Sequence, residues 1–129
     1  MCENYIINAQ HRNRNPNKSQ WVISELKENE LFNTACISEW IEGAAKKGFG
    51  VQKNGTHLDV LGICKDRITD LKIAKFVADH NDDWHGYPAN YRKHKQDTPT
   101  TNILHKWLDE QLITKSQMCK IVRGQKCKL

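Results

Sequence analysis

No apolar run in this chain approaches the ~20 residues a helix needs to cross a bilayer, so a helical membrane span is excluded. There is no Cys-x-x-Cys pair. Cys2, Cys36, Cys64, Cys119 and Cys127 are odd in number and widely scattered, unlike a disulfide framework or a structural zinc site. Free thiols in a reducing cytoplasm are therefore expected. The opening Met1-Cys2-Glu3-Asn4-Tyr5 has neither a basic region nor a long apolar stretch, so no secretory leader is expected. A Gly-rich phosphate loop, an internal repeat, and a Ser/His/Asp or Cys/His nucleophile arrangement are all missing as well.

What is present suits a small folded protein. The 129 residues fit one domain with a modest core. A mean hydropathy of -0.75 with 38% hydrophobic residues is polar, yet too apolar for disorder throughout. Charge is unevenly placed along the chain. Residues 92–129 carry nine Lys/Arg against three acids, while residues 1–91 hold eleven cations against twelve anions. A basic C-terminal third on a neutral body suits contact with nucleic acid or an acidic protein face.

Patterning predicts an α+β fold, in which a small antiparallel meander packs with a preceding helix and a basic C-terminal helical pair. Residues 1–20 are expected to form a polar, mobile arm, because Asn8 to Gln20 is nearly devoid of apolar side chains. Ile37, Trp40, Ile41, Ala44 and Ala45 recur at helical spacing and predict a helix over 34–47, capped by Asn33 and stopped at Gly48. Asn54-Gly55 predicts a hairpin in which Val51 faces Leu58 and Phe49 faces Val60. A third strand is expected from Asp70 to Val77. Thr101–Gln111 reads as a helix with Ile103, Leu104 and Trp107 on one face. Thr114-Lys115-Ser116-Gln117 resembles a capping box and opens a last helix, which Gly124 stops.

Between body and basic third lies a segment, residues 79–92, rich in Asp, His and aromatic residues and broken by Gly86 and Pro88. It predicts an irregular loop, the kind of element that carries binding chemistry. An EF-hand reading fails because Trp84 and Asn90 occupy the positions that need Gly and a carboxylate. His80, Asp82, Asp83 and His85 are weak candidate metal ligands, more simply read as a polar surface loop. Trp84, His85, Tyr87, Tyr91 and Arg92 form a candidate binding surface for a base or a peptide. Within it, Trp84 is the residue expected to anchor the loop.

Two further constellations bear on function. Lys115, Lys120 and Arg123 lie on the second helix of a possible helix-turn-helix, able to present cations to DNA. Asp59 followed by Asp70-Leu71-Lys72 resembles the Asp…(Asp/Glu)-x-Lys pattern of restriction-endonuclease-like nucleases. That resemblance implies Mg²⁺ or Mn²⁺ held by Asp59 and Asp70, with Lys72 helping to activate water. The sequence departs from the pattern in its second acid, Asp rather than the usual Glu. A cross-strand ion pair between Asp59 and Lys72 is the simpler reading. The leading functional expectation is a small cytoplasmic module that contacts nucleic acid through its basic third. A metal-dependent nuclease is the alternative, and an inhibitor- or immunity-type protein-interaction module using residues 79–92 is a further one.

Overall fold

In a computed structural model, which describes residues 4–129, the polar N-terminal segment from residue 4 onward packs against the body. Its polar side chains satisfy its own backbone, which is how a stretch without apolar residues holds a shape. Asn8 caps a short 3₁₀ turn, Ala9–His11. Gln20 is buried, donates through Nε2 to Gln10 O at 2.8 Å and accepts from Arg14 N at 2.9 Å. The guanidinium of Arg67 ties the segment from outside by donating to Asn15 O at 2.9 Å.

The fold is α+β, and its strands divide among three small antiparallel sheets. Strand β1 (Gln20–Trp21) pairs with β6 (Gly62–Ile63), which pairs with β7 (Asp70–Leu71). The main sheet runs β2 (Ile41–Glu42), β3 (Lys47–Gly50), β8 (Ile73–Ala78), β9 (Trp84–Ala89). A separate hairpin joins β4 (Lys53–Asn54) to β5 (His57–Leu58). Helices α1 (Glu25–Ile37), α2 (Thr101–Asp109) and α3 (Lys115–Val122) complete the chain.

The first helix begins nine residues and ends ten residues earlier than the periodicity predicts. Its buried face is Glu28, Leu31, Phe32 and Ala35, a helical spacing whose first member is charged and so disguises the pattern. It stops where Glu39 takes φ 61° and Trp40 N donates to Ala35 O at 2.8 Å, a Schellman ending without glycine. Ile37 is consequently 83% exposed, and Ala44 and Ala45 lie in the exposed turn between β2 and β3.

The hairpin is present but its turn is displaced. Asn54 pairs with His57 and Lys53 with Leu58, so Gly55-Thr56 are the turn residues and Gly55 alone takes positive φ, 64°. The displacement is by two residues across the pair, an even number, so Leu58 stays on the buried face, whereas Phe49 does not face Val60 but lies in β3 opposite Lys75, where it is buried. Val60 is half-buried.

Residues 79–92 are not an irregular loop throughout: Trp84–Ala89 form strand β9. Asp79 Oδ1 accepts from Asn81 N and Asp83 N at 2.8 and 3.1 Å, closing a tight turn that hands the chain to β9. Pro88 is accommodated because β9 is an edge strand, where a missing N–H breaks no ladder. Gly86 is opposite Phe76, and a Cβ there would collide with the Phe76 ring and the Tyr5 hydroxyl.

Phe32, Phe49, Phe76 and Trp84 fill the space between α1 and the main sheet, each at most 3% exposed. Full burial of each such ring contributes about 1.5–3 kcal/mol. On the other side Trp40 meets Trp107 of α2 edge-on at 5.8 Å. The expected C-terminal helices match closely: Thr114 and Gln117 form the capping box, and Gly124 takes φ 67°. Cys64, Cys119 and Cys127 are free, whereas Cys36 is disulfide-bonded, which corrects the expectation of free thiols throughout. Cys2 lies outside the described residues.

Candidate functional site: a basic groove and its neighbour

The tail after α3 turns back along the helix. Gly124 N donates to Ile121 O at 3.0 Å, Gln125 N to Lys120 O at 2.9 Å, and Gln117 Nε2 holds Lys128 O at 2.9 Å. Opposite the tail stand the β7–β8 junction and the chain leaving β9. Between them is a groove of about 370 Å³, with Asp70, Lys72, Tyr91, Arg92, Lys126 and Lys128 among its lining residues.

Each wall is fixed by hydrogen bonds, one of which engages the Lys72 ammonium itself. Lys72 Nζ donates to the Leu129 main-chain oxygen at 2.8 Å, joining the β7–β8 junction to the tail. Tyr91 donates through its hydroxyl to Gln125 O at 2.8 Å. Burial, the neighbouring Cys127 thiol and, in opposition, Arg92 set its phenol, which is pushed up to about 12, so it stays a neutral donor. The Arg92 backbone is held by Asn90 Oδ1 at 3.1 Å, and its side chain is exposed. Cys127 is also raised, by burial, while Lys120 beside it works the other way.

Lys115 and Arg123, like Lys120, are exposed on α3. At a rise of about 1.5 Å per residue, Lys115 lies about 7–8 Å along the helix axis from Lys120. At 3.6 residues per turn the two also point about 140° apart around the helix, so Lys115, Lys120 and Arg123 do not form one strip, and none of them is among the groove's lining residues. The tail covers the Gln117 side of α3, which a recognition helix lying in a DNA groove would need clear.

The stacking surface expected around residues 84–92 is divided. Tyr91 and Arg92 line the groove, but Trp84 is 3% exposed, with its ring 5.6 Å from Phe32. Trp84 is a core anchor. Tyr87 turns to a second centre, donating from its hydroxyl to Asp97 Oδ1 at 2.7 Å. His85 sits with Nε2 3.7 Å from Asp79 Oδ2, and its Nδ1 is buried with no partner among the described residues.

The other expected residues scatter. Asp59 accepts from Asn54 Nδ2 at 2.9 Å beside the hairpin, and Lys72 bonds Leu129, so the expected Asp59–Lys72 ion pair does not form. Asp70 and Lys72 share the groove, and Asp59 is not among its lining residues. Asp82 pairs with Lys46 at 2.9 Å, and His80 is exposed. The Asp79 carboxyl is held below its usual range by the N–H groups of Asp83 and Asn81. Among the described residues no group of three or more His, Cys, Asp or Glu converges as a metal cage.

Two buried polar centres escape sequence reasoning. Glu28, fully buried in α1, accepts from Arg12 Nε and Nη2 at 3.0 and 2.7 Å and from the Tyr5 hydroxyl. Lys75, cross-strand from Tyr87, donates to Gln96 O at 2.6 Å and lies 3.4 Å from Asp97 Oδ1. Lys75 is 6% exposed and Asp97 4%. The one legible signal was Lys75 itself, a charge amid the alternation of an expected strand. Comparison of the chain with protein-family models, with curated proteins and with solved structures returns no match.

Proposed function

We propose that the protein binds a single strand of nucleic acid, with the phosphodiester backbone in the groove between the tail and the β7–β8 junction. The carrying observation is the convergence of Lys72, Arg92, Lys126 and Lys128 on one groove against a single acid, Asp70. Cations lining a narrow channel, with an aromatic ring at its wall, match how strands are held without sequence preference. Tyr91 is that ring, offered for stacking while its hydroxyl is fixed. At about 370 Å³ the groove is on the scale of one small-ligand site, which suits a strand more than a whole duplex. Lys115, Lys120 and Arg123 are exposed cations outside the groove, which a longer strand would reach.

The test compares two variants by fluorescence anisotropy on a labelled single-stranded oligonucleotide at low salt. Lys126→Ala/Lys128→Ala should weaken binding at least tenfold, since each lost phosphate contact removes a counterion-release contribution. Lys115→Ala/Lys120→Ala should weaken it less, and more for long strands than short ones. Tighter binding to duplex than to single strand, or equal binding to polyglutamate, would contradict the reading.

A further inference from the structure

On the opposite side of Leu71 and Asn90 from the groove is a second cavity of about 380 Å³. Three polar side chains in its wall are more than nine-tenths buried: His11 at 7% exposure, Asn90 at 8% and Asp97 at 4%. Their hydrogen bonds determine what the wall offers. His11 Nδ1 lies 2.8 Å from Ser19 O, which can only accept, so the ring proton is on Nδ1. Burial and the nearby Lys18 push this imidazole toward its neutral form, so Nε2 is a lone-pair acceptor without a partner among the described residues. Asp97 Oδ1 is occupied by Tyr87 and Lys75, but Oδ2 receives only a long 3.4 Å contact from Asn90 N. The cavity wall therefore offers two acceptor atoms, His11 Nε2 and the lightly engaged Asp97 Oδ2.

The rest of the cavity has a different character. Leu71, Pro88 and the Cys64 thiol contribute flat, weakly polar surface, and the imidazole of His11 stacks on Tyr87 at 5.2 Å and 16° between planes. Lys18 and Lys65, both exposed, stand at the rim. A fitting occupant has ring donors at its inner end, a flat apolar body and an anion at its outer end. The volume exceeds what a lone amino acid or inorganic anion fills and falls in the small-ligand range. We propose that this cavity is a nucleotide site, with the base donating to His11 Nε2 and Asp97 Oδ2 and the phosphate on Lys18 and Lys65. The nucleotide is either free or the terminal residue of a strand. The site uses residues the strand groove does not, apart from the shared Leu71 and Asn90, and its failure leaves the strand reading intact.

The experiment is an NMR titration of backbone amides with each of the four nucleoside 5′-monophosphates, repeated with a 5′-phosphorylated dinucleotide. Saturable shifts at Lys18, Ser19, Lys65, Asn90 and Asp97 are expected for at least one base, weakened at least tenfold by Lys18→Ala/Lys65→Ala. Lys126→Ala/Lys128→Ala should leave mononucleotide affinity within twofold of wild type. Preference for the dinucleotide identifies a strand terminus, and equal affinity identifies the free nucleotide. No shift at millimolar ligand would overturn the site. So would shifts confined to Lys72, Arg92 and the tail, or identical shifts with inorganic phosphate alone.

Discussion

Replacing Arg12 with Met removes the only cation among the described residues bonded to the fully buried carboxylate of Glu28. Tyr5 still donates to that carboxylate, but a hydroxyl does not neutralise it. Breaking one side of a buried pair costs about 3–5 kcal/mol, because the remaining charge stays in a poor solvent. For a chain of this length that lowers the melting temperature by about 10–20 °C. The pH dependence follows from Glu28, whose pKa is raised by burial while the bonds from Tyr5 and Arg12 hold it down. An acid with a folded pKa above its unfolded value binds the proton more readily when folded. Its stabilising share is complete below the unfolded value and is lost as pH rises through the folded one. Losing Arg12 moves the folded value further up, so Arg12→Met should be much less destabilising near pH 5 than near pH 7. Adding Glu28→Gln should recover part of the loss at neutral pH, since no ion is then left unpaired. Thermal unfolding followed by circular dichroism at both pH values is the assay. A shift under about 3 °C for Arg12→Met would refute the reasoning, and with it the integration of the N-terminal segment.

Tyr87→Phe should destabilise by about 1–3 kcal/mol in urea unfolding, because buried Asp97 loses its shortest donor. An unchanged midpoint would mean that water or Lys75 replaces the hydroxyl. Trp84→Ala should cost about 3–5 kcal/mol, while Arg92→Ala should stay within about 0.5 kcal/mol and act on binding alone. Equal stability losses would place Arg92 in the scaffold rather than at the groove.

Local rules succeeded where one residue type dominates the local energetics. Thr114 with Gln117 and Gly124 define α3 because caps and a left-handed stop leave little choice. The same rules fail at Glu39 and Gln111, which end α1 and α2 at φ 61° and 60° with no glycine to mark them. There the backbone bonds Trp40 N to Ala35 O and Leu112 N to Trp107 O, each at 2.8 Å, with burial of Trp40 nearby, override side-chain preference. Glu28 hides α1 by placing a charge on a core face, which Arg12 and Tyr5, both distant in sequence, hold there. Gly86 and Pro88 look like loop residues because nothing local reveals an edge strand packed over Phe76. The site divides the same way. Tyr91, Arg92, Asp70 and Lys72 were legible as polar chemistry, and the fold alone brings them beside Lys126 and Lys128. His11 and Asp97 had no signal, because their partners Ser19 and Lys75 are set by tertiary contacts.

The most direct test of the strand-binding groove is the salt dependence of affinity for a short single-stranded oligonucleotide. Four groove cations, Lys72, Arg92, Lys126 and Lys128, predict a slope of log K against log salt of about −3, at about −0.7 for each neutralised phosphate. Lys126→Ala/Lys128→Ala should bring the slope to about −1.5. A slope unchanged in that variant, or no binding by the wild type at low salt, would contradict the account.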